Sequence, residues 1–137
     1  MDFKLILVKP RNPDNIGAAA RAMANFDLEN LSVVAPHVPV WRESVEALRA
    51  AVGAGHIINA AGVFDSIPEA AADCRTLLGA SSLHRQNPER DVIALPDIRE
   101  YLAGRESPVG ILFGPEKTGL TKDELSHCHA IVNIPPA

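Results

Sequence analysis

The chain has 137 residues, 13 Lys plus Arg against 17 Asp plus Glu, and a formal net charge of 13 − 17 = −4, which bounds it to one domain. With 47% hydrophobic and 22% charged residues it can fill a core, which excludes global disorder, and no apolar run approaches the ~18 residues of a membrane span. The acidic balance argues against a generic nucleic-acid coat and confines any anion binding to a local patch.

Elements alternate along the chain. Apolar runs at residues 3–8, 31–35, 76–80, 109–113 and 130–134 read as buried strands, and a weaker strand is expected near Ile57 or Val63. Between them, residues 15–26, 44–52, 66–73, 96–103 and 121–126 read as helices, several opening on Asp, Ser, Thr or Pro. Residues 81–91, rich in Asn, Gln, Arg and Pro, read as an exposed loop. Strand, helix, strand implies an α/β fold with a mostly parallel sheet flanked by helices, and a ligand site beyond the strands' carboxyl ends. Residues 1–137 are expected to form a single domain, since neither half supplies a second core. The N-terminal segment lacks a basic flank and a small-residue cleavage site, so a cytoplasmic location is expected.

The segments that follow the strands carry the chemistry. After the first comes Lys9-Pro10-Arg11-Asn12-Pro13-Asp14-Asn15-Ile16-Gly17-Ala18-Ala19-Ala20-Arg21, where a helix begins near Asn15 and the small run 17–20 permits close approach of a backbone, a cofactor or a second subunit. Its plain counterpart is a capped Ala-rich helix with a solvated Arg. After the 109–113 strand comes Phe113-Gly114-Pro115-Glu116-Lys117-Thr118-Gly119-Leu120. This is not a phosphate-cradling Walker loop, because Lys117-Thr118 precedes Gly119 rather than following it. Gly114 and Gly119 would let main-chain groups face an adenine or ribose, with Glu116 as an acceptor; the plain alternative is a turn with a surface Glu. Gly79-Ala80-Ser81 and Asn133-Ile134-Pro135 end two more strands, and together these ends can line a pocket for a flat ligand.

These motifs resemble the first two motifs and the opening of the third in SpoU/TrmH-type RNA 2′-O-ribose methyltransferases of the SPOUT class. The segments 9–21, 53–56 and 79–81 are most similar to the branch that methylates a pyrimidine ribose in the tRNA anticodon loop. The resemblance implies a SPOUT α/β-knot fold, S-adenosyl-L-methionine as cofactor, RNA (tRNA) as substrate, and a homodimer. It implies Gly79, Ala80, Ser81, Phe113, Gly114, Glu116, Gly119 and Ile134 as cofactor residues, and Asn15 and Arg21 on the catalytic side, Arg21 acting across the dimer. No metal is implied. The sequence stops at Ala137, where the family's Ser-Leu-Asn loop and closing helix have no counterpart, so an incomplete trefoil knot and a C-terminally truncated domain are expected.

RNA contacts are expected from a local basic rim of Lys9, Arg11, Arg85, Arg90, Lys117 and Lys122, each of which could equally be an ordinary surface charge. Three other features are discounted. His127-Cys128-His129 lacks a third metal ligand at recognisable spacing, Cys74 and Cys128 are read as buried or idle thiols, and Trp41 is read as sealing a domain or dimer surface rather than stacking a base. A catalytically silent RNA-binding or dimerisation module of the same fold is the alternative function. A Rossmann-like nucleotide binder is weaker, for want of the Gly-x-Gly-x-x-Gly fingerprint after the first strand.

Overall fold

The computed structural model describes residues 1–81 and 91–134. In chain order the elements are β1 (Phe3–Val8), α1 (Pro13–Asn25), β2 (Leu31–Val34), α2 (Val45–Ala50), α3 (Gly55–Ala60), β3 (Gly62–Phe64), α4 (Ile67–Ala70), β4 (Thr76–Ser81), β5 (Asp91–Ala94), α5 (Ile98–Leu102), β6 (Val109–Phe113), α6 (Lys122–Leu125) and β7 (Ala130–Asn133). All seven strands pair in parallel, in the order β3-β2-β1-β6-β4-β7-β5. The late strands are inserted between earlier ones: β6 lies between β1 and β4, and β7 between β4 and β5.

The five apolar runs are strands as expected, because a parallel strand buried on both faces needs apolar residues at consecutive positions. The weaker strand expected near Ile57 or Val63 is β3, at Val63, while Ile57 lies in the helix α3. The sequence reading departs from the structure elsewhere. The two ends of the expected loop, Ser81 and Asp91, belong to β4 and β5. The sequence reading expects no strand at β5, although Val92-Ile93-Ala94-Leu95 is a short apolar run; it forms an edge strand on which Ile93 is the one buried residue. Among the described residues no helix is long and apolar enough to cross a membrane.

Helix α1 opens two residues earlier than expected, with Pro13 at its start, where its missing N–H is no loss, and Asp14 in the first turn facing the positive end of the helix dipole. It closes on Asp27 at φ 58, with Leu28 N–H donating to Met23 O at 2.9 Å and Asp27 N–H to Ala24 O at 3.2 Å, a left-handed C-terminal cap. The buried face is Ile16, Gly17, Ala20 and Met23. The close approach that the small run permits is made by α2: a Cβ at Gly17 would overlap the Ala47 carbonyl oxygen and press on the Ala50 Cβ. Trp41 is 1% exposed in the same core, with the Arg42 guanidinium 4.9 Å from its ring and hydrogen-bonded to the Ile58 and Ala61 carbonyls. The tryptophan therefore seals this domain's own core.

On the other face of the sheet, Lys4 is buried in mid-strand. Its Nζ donates to Ala70 O at 3.1 Å and to Asp73 Oδ1 at 2.7 Å, so the charge is neither unpaired nor unbonded. The hydrogen bond from Lys4 holds the Asp73 carboxyl below its ordinary value of 3.8, against a smaller opposing effect of burial.

Two outcomes follow for stability. Gly17→Ala is expected to destabilise the chain by about 2 kcal/mol through overpacking of α1 on α2, measured by urea unfolding. Asp73→Asn is expected to lower stability at neutral pH by about 1 kcal/mol or less, because more than half of the Asp73 side chain is in water, which screens the pair. Since the folded-state carboxyl titrates below the unfolded one, the pair's contribution is complete above about pH 4 and lost as pH falls through the lowered value. The variant and the parent should thus converge in acid.

Candidate functional site

In an all-parallel sheet every segment that follows a strand leaves at the same edge, so strand order decides which of them meet. Here β1, β6, β4 and β7 occupy four consecutive places. The registers Leu7 with Phe113, Gly79 with Leu112, and Ser81 with Asn133 bring their ends level, and Ile134 N–H donates to Ser81 O at 3.0 Å. Residues 9–21, 79–81, 113–119 and 133–134, far apart in sequence, therefore share one edge.

The loop after β6 is closed upon itself. Gly119 N–H donates to Pro115 O at 2.8 Å, Gly119 sits at φ +67, and a Cβ at Gly114 would overlap the Gly119 carbonyl carbon and the Leu120 amide. Both glycines are thus required by the loop's own path, before any ligand is considered. A capping box fixes the far end: Glu124 N–H donates to Thr121 Oγ1 at 3.1 Å, and Thr121 N–H to Glu124 Oε1 at 2.8 Å.

Between this loop and α1 lies a cleft of about 300 Å³, the lower end of the range for small-molecule sites. Leu5 and Leu7 of β1 form its floor, Asn15, Ala19 and Ala22 of α1 one wall, and Phe113, Gly114 and Glu116 the other. Residues 15, 19 and 22 fall on one helical stripe, which is why Asn15 faces the cleft. Among the described residues lining it, Glu116 is the one charged group. A carboxylate in an apolar cleft suits a cation and opposes a phosphate.

The remaining expected residues are placed as follows. Arg21 is exposed, on the α1 stripe of Asp14, Ala18 and Asn25, and does not line the cleft of its own chain. The smallness of Gly79 is required by α6, since a Cβ there would stand 2.8 Å from Leu125 Cδ2 and 2.9 Å from Cys128 Sγ. Ala80 and Ser81 continue β4 towards the edge, and Ile134 is 36% exposed. Arg11, Lys117 and Lys122 are exposed around the edge. Lys9, also exposed at this edge, pairs with Glu124 Oε2 at 3.2 Å. Arg85 and Arg90 lie outside the described residues.

The discounted features have structural accounts. Cys128 is buried in the core and His129 Nδ1 accepts from Leu77 N–H at 3.0 Å. Burial raises the Cys74 thiol above its ordinary range, reinforced by the Asp73 charge, so it is a poor nucleophile. Among the described residues no group of three His, Cys, Asp or Glu could hold a metal. The residue that sequence reasoning missed is Glu124. The spacing Thr121-x-x-Glu124 did signal a capping box, but its second contact, to Lys9, crosses most of the chain and leaves no local trace.

The model of the SpoU rRNA methylase family matches residues 2–137. The chain belongs to that family. It is 37% identical over 138 residues to the tRNA (cytidine/uridine-2′-O-)-methyltransferase TrmJ of Sodalis glossinidius, an alignment covering 98% of this chain and 52% of that protein. The crystal structure of TrmJ from Z. mobilis ZM4 superposes with a TM-score of 0.91 at 34% identity, covering 100% of this chain and 60% of that one. The SpoU methyltransferase AviRb from Streptomyces viridochromogenes, whose structure holds AdoMet, shares the fold with a TM-score of 0.71 at 22% identity, over 99% of this chain and 51% of its own. This SpoU chain spans about half the length of the curated relatives it matches.

Because the glycines of the site serve packing first, Gly114→Ala is expected to destabilise the SpoU chain by about 1–3 kcal/mol in the absence of any ligand. It should also speed hydrogen exchange of the Gly119 amide. Ser81→Ala, at a half-buried position, should leave stability within about 0.5 kcal/mol, by the same unfolding measurement.

Proposed function

We propose that this chain is a single-domain S-adenosylmethionine-dependent tRNA ribose 2′-O-methyltransferase unit, acting on a pyrimidine nucleotide of the anticodon loop in the cytoplasm. The observation that carries this reading is the shared edge of β1, β6, β4 and β7, to which residues 9–21, 79–81, 113–119 and 133–134 of a SpoU-family chain come from far apart in sequence. The name of the relative aligned over 98% of the chain supports the substrate class.

The residues suit the cofactor. Main-chain groups at Gly79, Ala80, Ser81, Gly114, Gly119 and Ile134 along the shared edge would hold it; of the expected cofactor residues, Phe113, Gly114 and the acidic Glu116 line the cleft. That charge favours a sulfonium or ammonium neighbour and disfavours an anion. When bound, S-adenosylmethionine supplies an electrophilic methyl group. The ribose 2′-oxygen must be aligned with that methyl and relieved of its proton. Asn15, whose amide both donates and accepts, faces the cleft and can orient the hydroxyl.

Arg21 is suited to orientation rather than to ordinary base chemistry, since a guanidinium keeps its proton to about pH 12. Its place on the exposed face of α1 supports a role towards the cleft of a second copy of the chain, in a homodimer. There it would hold the adjoining phosphate by two parallel hydrogen bonds and stabilise the developing alkoxide. The proton leaves to a phosphate oxygen or to a transiently neutral Arg21. Arg11, Lys117 and Lys122 would meet the RNA backbone around the edge.

Arg21→Lys keeps the charge but loses the planar fork. It is expected to slow single-turnover methyl transfer to a tRNA transcript about 100-fold while leaving S-adenosylmethionine affinity, read by calorimetry, unchanged. Near-normal transfer by this variant would defeat the two-bond role. RNA binding by the parent chain without affinity for S-adenosylmethionine would replace the enzyme reading with the silent module.

A further inference from the structure

We infer that Glu124 is a positioning residue that ties the end of β1 to the loop 114–121, so that affinity for S-adenosylmethionine depends on Lys9, a side chain outside the cleft. The inference rests on the cofactor reading above for its ligand, and on three structural observations for its geometry. Glu124 is 6% exposed, and its two oxygens have different partners: Oε1 accepts the Thr121 amide at 2.8 Å, and Oε2 meets Lys9 Nζ at 3.2 Å. A carboxylate so far from water needs a counter-charge, and Lys9 provides it. The helix cap uses only Oε1 and the Thr121 hydroxyl, so the contact to Lys9 is not needed to start α6.

The second observation is the backbone of Lys9. It stands at φ 51, in the left-handed region that residues with a Cβ avoid, with its N–H donating to Val34 O at 2.8 Å. Such a conformation persists where surrounding contacts hold it, and the Val34 and Glu124 contacts do so from two sides. The third observation is what the tether joins. Pro10 and Asn15, shortly after Lys9, line one side of the cleft, and Gly114 and Glu116, shortly before Thr121, line the other. One buried carboxylate thus fixes both walls relative to each other, which lowers the ordering that a ligand must otherwise impose.

The test uses the full chain without RNA, so that any phosphate contact of Lys9 plays no part. Lys9→Met leaves the capping box intact, and a purely capping role for Glu124 would leave its effect nil. Lys9→Met and Glu124→Gln are each expected to weaken S-adenosylmethionine binding roughly fivefold by calorimetry, with the double variant no weaker than the weaker single and Lys9→Arg near the parent. Hydrogen exchange in residues 114–121 should quicken in Lys9→Met. Unchanged affinity in Lys9→Met, or fully additive losses in the double variant, overturns the inference. If the parent chain does not bind S-adenosylmethionine, the cofactor reading fails on its own. Exchange in residues 114–121 then decides the tether: quicker exchange in Lys9→Met upholds it and unchanged exchange overturns it.

Discussion

The backbone ladder that seats β6 between β1 and β4 is the constraint on which the site depends. Five registered residue pairs join β6 to β1, from Phe3 with Val109 to Leu7 with Phe113, and four join it to β4. Parallel pairing fixes direction as well as neighbour, so the loop beginning at Gly114 must emerge between the segment that starts at Lys9 and the end of β4 at Ser81. A strand slipped by one residue would move Leu112 from the cluster it shares with Ile6, Val8 and Leu77 to the core cluster on the opposite face, so the fit of side chains on both faces holds the register and, through it, the placing of the loops. The site is in this sense a by-product of core burial.

Glycine has a different meaning here from the one a binding motif suggests. Gly17 makes room for α2, Gly79 for Leu125 and Cys128, and Gly114 for the returning chain at Gly119 and Leu120. Each lets two parts of the fold approach more closely than a side chain would permit, and the main chain is thereby brought to the edge where a ligand can meet it. Packing and binding are served by the same absence of a Cβ, so loss of binding in a glycine variant of this SpoU chain does not by itself identify a contact.

Charge is distributed with similar economy. Lys4 and Lys9, two of the basic residues nearest the sheet, are held by Asp73 and Glu124. Arg11, Lys117 and Lys122 are exposed around the described edge and Lys9 keeps about half of its side chain in water, while the exposed Glu116 lines the cleft. Cations around the edge and a carboxylate on the cleft wall separate the demands of an RNA backbone from those of a cationic methyl donor, within a chain whose net charge is −4. That separation accords with the proposed function and is independent of any likeness to relatives.

The strand-helix alternation, the five apolar strands and the segments that end them were legible in the sequence, because burial on both faces of a parallel sheet demands consecutive apolar residues, with polar and turn-forming residues concentrated between them. The sequence also marked Thr121 as a helix start, though not the Glu124 that completes its capping box. The edge strand β5 is absent from that reading, because its short apolar run, Val92 to Leu95, abuts the helix start at Pro96 and periodicity does not separate a strand from a helix turn over so few residues. Strand order was illegible as well, for nothing local says that β6 returns to sit beside β1. Only the packing of the whole chain shows that Asn15 faces the same cleft as Glu116 while Arg21 faces away, and that Lys9, about half exposed, pairs with Glu124. Periodicity records which face of an element is buried; contacts between distant elements depend on how the whole chain is packed, and no short window of sequence contains them.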